Sequence, residues 1–174
     1  MVQTTKRVEV DFAHRLTNHS GKCRSVHGHR YVVDVTITDE LATCGSSEGM
    51  CLDFSILKKV LNQCIDNICD HSLVLWDQDP LVDVLKEMDY SDTSVEYTAE
   101  TTRALVYEEG FVNGKTVLVN FIPTSENLAK WWFELISFYI YQYSDTATVL
   151  KVRVYETPSC YSDYSEAETC SCNG

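Results

Sequence analysis

Four groups within sixteen residues could do metal chemistry: His14 in Phe12-Ala13-His14-Arg15-Leu16, then Cys23, His27 and His29 in Cys23-Arg24-Ser25-Val26-His27-Gly28-His29. Neutral imidazoles and thiolates are zinc ligands. Three imidazoles with a vacant fourth position are the arrangement of catalytic zinc, whereas structural zinc is closed by four protein ligands. A zinc ion held in the open way acts as a Lewis acid on substrate oxygens. A His-x-His pair alone is equally well explained as two surface side chains; His14 and Cys23 beside it favour a metal. Cys23 keeps two readings. It either closes the site as a fourth ligand or stands apart as an acid/base group, since a thiol near a cation loses its proton more easily.

The segments that must position these groups are strands. Val8, Val10 and Phe12 alternate with Arg7, Glu9 and Asp11, and His14 falls just beyond with the parity of the apolar face. His27 and His29 lead into the alternating run from Arg30 to Ile37, so they share one face. Gly28 clears the opposite face for a close backbone or a ligand. Two neighbouring strands can therefore bring three imidazoles to one point.

The chain of 174 residues fits a single domain, 1–174, with 44% apolar and 23% charged residues. The segment 1–7 lacks the apolar core of a signal peptide and no stretch approaches a membrane span, which predicts a cytoplasmic protein. Eight cysteines without a Cys-x-x-Cys pair are expected to be reduced thiols. The net charge of −12 argues against nucleic acid and anionic membranes as partners. Yet from Phe12 to Val33 there is no acid, while Arg15, Lys22, Arg24 and Arg30 all fall there. That local excess of cations suits an anionic small molecule such as a phosphate ester, although four basic residues are only a modest enrichment.

Asp53 is placed to cap a helix with the stripe Ile56, Leu57, Val60, Leu61, Cys64, Ile65 and Ile68, which runs out at Asp70-His71. Pro80 opens a short helix. Arg103–Tyr107 and Thr116–Phe121 flank Asn113-Gly114, a hairpin signal. A second long helix starts at Pro123-Thr124-Ser125 and runs to about Tyr143. The last strand spans Thr148 to Thr157, where Leu150, Val152 and Val154 share a parity that Glu156 continues. A carboxylate on a buried face is either paired or functional. Here it suits an amidine-like ring edge held in a pocket. The order predicts an α+β fold: an antiparallel four-stranded sheet, two helices on one face, an inserted helix and hairpin at about 72–122, and a loosely ordered tail at about 160–174.

The ordered motifs Phe-Ala-His-Arg-Leu, Cys-x3-His-Gly-His, Leu-Asp-Phe before a helix, Asp-His at its end, Pro-Thr-Ser-Glu-Asn-Leu-Ala and Tyr-Glu-Thr resemble the 6-pyruvoyl tetrahydropterin synthase family from about Val8 to Thr157. They most resemble its bacterial 6-carboxytetrahydropterin synthase branch, which serves queuosine and preQ0 biosynthesis. The Cys-x3-His-Gly-His spacing is that of the carboxy-forming enzymes. The resemblance implies the tunnelling fold (T-fold) and a homo-oligomer, a hexamer. It makes His14, His27 and His29 the ligands of Zn²⁺, Cys23 the proton-abstracting base, Asp70 and His71 a proton relay and Glu156 the pterin anchor. Glu126 and Thr124 become further contacts to the pterin.

The implied substrate is 7,8-dihydroneopterin triphosphate. Proton abstraction, loss of triphosphate and retro-aldol-type cleavage would release acetaldehyde and leave 6-carboxy-5,6,7,8-tetrahydropterin. The alternatives are a 6-pyruvoyl-tetrahydropterin synthase, which stops at triphosphate elimination, and, more remotely, a non-catalytic zinc module closed by Cys23. One departure stands out. Compact bacterial members join Asp-His to Pro-Thr-Ser-Glu briefly, whereas here residues 72–122 intervene, either as a peripheral hairpin that alters assembly or as a segment that reshapes the pocket.

Overall fold

The computed structural model describes residues 1–88, 93–110 and 114–166. Strands β1 (Val2–His14) and β2 (His27–Asp39) form the spine of the fold. Their alternation pairs them antiparallel in unbroken register, from Val2 opposite Asp39 to His14 opposite His27. β7 (Thr148–Thr157) pairs antiparallel with β2, and β8 (Cys160–Tyr164) with β7. On the other side, β3 (Ser72–Trp76) runs parallel to β1 over Phe12–His14 and parallel to β6 (Thr116–Val119). β5 (Arg103–Tyr107) and β4 (Val95–Thr98) complete the sheet as antiparallel neighbours.

Among the described residues the sheet therefore has eight strands in the order β4-β5-β6-β3-β1-β2-β7-β8, and it is mixed rather than a four-stranded antiparallel sheet. The missed strands have physical reasons. β3 is a near-continuous apolar run, the pattern of a parallel strand enclosed on both faces, and so lacks the alternation that identifies β1. β4 is a short edge strand of mixed polarity. β8 is a polar edge strand whose partner, β7, supplies the ladder, so residues 160–164 are ordered where a loose tail was expected. The hairpin expected around Asn113-Gly114 is present as the β5–β6 pair, although Asn113 lies outside the described residues, as do Cys170 and Cys172.

One helical stretch carries the predicted stripe. α1 (Phe54–Leu61) is capped by Asp53, which accepts the Ser55 N–H at 2.7 Å, and continues through a π-helical segment (Asn62–Asp66) into α2 (Asn67–Cys69). Leu57, Val60, Leu61, Cys64, Ile65 and Ile68 are fully buried. α4 (Ser125–Tyr141) buries Leu128, Trp131, Trp132, Leu135 and Ile136 against the same sheet face. Each such leucine contributes about 1.5–3 kcal/mol relative to leaving it exposed. α3 (Pro80–Lys86) covers the opposite face of the extension, where Val82 meets Leu75, Tyr107 and Leu118. Within β7 a bulge between Thr36 and Ile37 of β2 shifts the register, so Val149 is buried and Leu150 turns outward, contrary to the parity read from sequence.

Candidate active site

The last rungs of the β1–β2 ladder set the site. His14 lies opposite His27 and Phe12 opposite His29, so the ladder alone brings the three imidazoles to one face. Ring centroids are 4.6 Å apart for His14–His27, 5.4 Å for His14–His29 and 5.0 Å for His27–His29. One ligand nitrogen from each ring lies within 4.8 Å of the others.

The tautomers suit a cation. His14 Nδ1 donates to the Pro123 carbonyl at 2.8 Å and His27 Nδ1 to the Ser25 carbonyl at 2.8 Å. A carbonyl only accepts, so each Nδ1 carries its proton and each Nε2 presents a lone pair, which in His14 faces the Tyr31 hydroxyl at 3.0 Å. His29 Nε2 is buried with no hydrogen-bond partner among the described residues. A buried orphan nitrogen calls for an explanation, and a shared metal ion supplies one. The donor set thus fits zinc, with His14, His27 and His29 as the holding residues. Burial lowers the pKa of His14 and the neighbouring His27 and His29 act in the same direction, so this ring is held neutral against the opposing Pro123 bond and Glu156 charge.

Two further groups close on the cluster. Glu156 Oε1 lies 3.5 Å from His14 Nε2 and 3.7 Å from His29 Nε2. The Tyr31 hydroxyl sits 3.0 Å from His14 Nε2 and 3.4 Å from Glu156 Oε1. Burial raises the Tyr31 pKa, and the Glu156 charge adds to it, so the phenol stays protonated and able to donate. A cavity of 690 Å³, lined by Arg7, His29, Arg30, Tyr155, Glu156 and Thr157, opens beside these groups. Gly28 also lines it, and a Cβ there would come within 3.2 Å of the Phe12 carbonyl oxygen, the close backbone approach expected of that position.

The remaining predicted residues are distributed around this centre. Cys23 is a free, half-buried thiol in a 3₁₀ turn (Lys22–Arg24), and its sulfur is not a member of the three-ligand cluster. Asp70 and His71 form a dyad, with Nδ1 2.7 Å from Oδ2, outside the imidazole cluster. His71 adopts φ 54°, and its N–H donates to the Asp11 carbonyl at 2.7 Å, while its ring is 81% exposed beside a shallow pocket shared with Gly28, His29 and Arg30. Thr124 caps α4, accepting the Asn127 N–H at 3.3 Å, and Glu126 is exposed in the first helical turn beside Ser125. This segment touches the imidazoles through the Pro123 carbonyl rather than through Thr124 or Glu126. Sequence reading missed that carbonyl, which no side-chain pattern encodes. It also missed Tyr31, whose parity with His27 and His29 was available.

An α+β fold of the tunnelling type carries three imidazoles at the end of one hairpin, a candidate metal centre beside a pocket. The chain belongs to the 6-pyruvoyl tetrahydropterin synthase family, whose sequence model matches residues 3–167. It is 28% identical to the 6-carboxy-5,6,7,8-tetrahydropterin synthase of Haemophilus influenzae, with 95% of this chain and 100% of that protein covered. It is 31% identical to the enzyme of the same name from Rickettsia conorii, with 92% and 98% covered. Among solved structures, an uncharacterized protein from Wolinella succinogenes superposes with a TM-score of 0.74 at 24% identity, covering 95% of this chain and 98% of that one. The 6-pyruvoyl tetrahydropterin synthase of Caenorhabditis elegans gives a TM-score of 0.60 at 24% identity, covering 95% and 96%. These two likenesses bear on the fold.

Proposed function

We propose that this chain is a zinc-dependent lyase that converts 7,8-dihydroneopterin triphosphate and water into 6-carboxy-5,6,7,8-tetrahydropterin, acetaldehyde and triphosphate. The observation that carries the reading is the trio of Nε2 atoms, two of them oriented by Nδ1–carbonyl bonds and the third buried without a hydrogen bond among the described residues, beside a pocket that also holds Glu156. The names of the relatives matched over nearly their whole length support the carboxy product.

When bound by the three histidines, zinc supplies Lewis-acid polarisation of substrate oxygens. Glu156 accepts N–H bonds from the pterin edge, which orients the ring in the pocket. Cys23 removes the side-chain proton, and the Asp70–His71 pair carries protons at a separate position. Thr124 and Glu126 stand as outer contacts of the pterin. His71 is exposed, so its part requires the pocket to be completed by another subunit, in keeping with a homo-oligomer and specifically a hexamer. No helix among the described residues is long and apolar enough to cross a membrane, and a cytoplasmic enzyme of queuosine or preQ0 formation fits the proposed substrate.

Incubation of the zinc-loaded protein with 7,8-dihydroneopterin triphosphate, followed by mass analysis, tests the proposal. The expected products are the 6-carboxy pterin and acetaldehyde. A 6-pyruvoyl product without acetaldehyde would reassign the chain to triphosphate elimination alone.

A further inference from the structure

We infer that Asp79, a residue of the inserted segment, is a positioning residue that holds the loop between β1 and β2 and with it the Cys23 thiol. The inference deepens the proposed function, on which it rests only for what Cys23 does. Asp79 lies between β3 and α3, and its side chain is fully buried. Oδ1 accepts the Leu81 N–H at 2.8 Å and so caps α3. Oδ2 accepts the Thr17 hydroxyl and lies 3.1 Å from Arg15 Nε, an ion pair that lacks hydrogen-bond geometry. Capping by itself needs only a short oxygen side chain, which serine or asparagine supplies. A buried carboxylate costs more, and the cost is offset by an opposite charge close by and by a hydroxyl donor. Here those partners are the first and third residues after the metal-ligand position His14.

Leu16, between them, donates its N–H to the Cys23 carbonyl at 2.8 Å. Three consecutive residues thus fasten the loop twice, through side chains to Asp79 and through main chain to Cys23. The other hydrogen bonds of residues 16–24 within the described structure stay inside the loop: His19 N–H to the Leu16 carbonyl, Gly21 N–H to His19 Nδ1, Arg24 N–H to the Gly21 carbonyl, and Ser25 N–H to the Lys22 carbonyl. The β1–β2 ladder ends at His14 and His27 and fixes the imidazoles without fixing the thiol. Asp79 supplies the tether that the ladder does not. The inserted segment is therefore part of the support of the reacting centre.

Asp79→Asn keeps a capping oxygen and removes the charge, whereas Arg15→Gln leaves Asp79 and the α3 cap in place. The rate of Cys23 alkylation by iodoacetamide, followed by peptide mass mapping, reads the thiol directly and needs no substrate. Both variants are expected to retain zinc, to be alkylated at Cys23 several-fold faster as the half-buried sulfur is released, and to lose roughly ten- to a hundredfold in kcat with little change in KM. Arg15→Lys, which restores a cation opposite Asp79, should return both readouts toward the parent. Unchanged Cys23 alkylation in Arg15→Gln, or in a folded Asp79→Asn protein, would overturn the inference and confine Asp79 to capping α3. If Asp79→Asn fails to fold, Arg15→Gln decides alone. A parent protein that does not turn over the pterin would refute the proposed reaction and leave the alkylation test of Asp79 intact.

Discussion

His14 Nδ1 donates to the Pro123 carbonyl across 2.8 Å, joining the end of β1 to the entry of α4. One imidazole therefore has two tasks, a structural bond through Nδ1 and a ligand lone pair on Nε2. Among the described residues the His29 ring makes no bond to a carbonyl, and its Nε2 has no hydrogen-bond partner at all. The two residues should separate on mutation. His14→Ala and His29→Ala both abolish tight zinc binding, measured by competition with a chromophoric chelator. Only His14→Ala should also destabilise the metal-free protein, by about 2–4 kcal/mol, because it opens a cavity and strands a carbonyl. Denaturant unfolding of the metal-free variants checks the difference.

Acid should act through the same residue. Burial holds the folded-state pKa of His14 below the ordinary imidazole value of 6.5. As pH falls, the unfolded chain takes up that proton first, so the contribution of neutral His14 is complete above 6.5 and is lost as pH drops from there toward the depressed value. Zinc occupancy falls in the same direction, since the ligand must be neutral. The melting temperature of the metal-free protein is expected to decline between about pH 7 and pH 5, with a shallower slope in His14→Phe.

The imidazole trio was legible because the information is local: strand parity places His27 and His29 on one face, and an alternating partner puts His14 opposite. Glu156 was legible from the same parity, although the bulge that turns Leu150 outward lies between strands and cannot be seen in one of them. The extension of the sheet was hidden for a related reason. The Leu73–Trp76 run of β3 is enclosed by β1 and β6, and the strand shows its identity only when both neighbours are known. The Pro123 carbonyl and the Asp79 tether belong to main chain and to a long-range fold, where residue type gives no signal.

Glu134 fastens the turn between β4 and β5 onto α4. It accepts the Thr101 N–H at 3.0 Å, the Thr101 hydroxyl at 2.6 Å and the Thr102 hydroxyl at 2.8 Å. Burial opposes ionisation, yet these bonds outweigh it and hold the carboxyl below its ordinary 4.5. Stability from this clamp is present above 4.5 and is lost as pH falls through the lowered folded value. Glu134→Ala should cost about 1–3 kcal/mol. Amide exchange at residues 99–103 should accelerate while zinc binding is unaffected.

Cys23 decides between an enzyme and a structural zinc module. Its sulfur stands outside the three-imidazole cluster, in a turn fastened by the Leu16–Cys23 main-chain bond, which removing Sγ leaves untouched. Cys23→Ala is therefore expected to bind zinc with the parent affinity and to fold normally. Turnover should fall by at least about a hundredfold if the thiol is the base. A four-ligand structural site predicts the reverse, loss of metal together with loss of fold, because the binding energy of such a site is folding energy. Zinc titration and circular dichroism of this variant, measured beside its activity, give opposite results for the two cases.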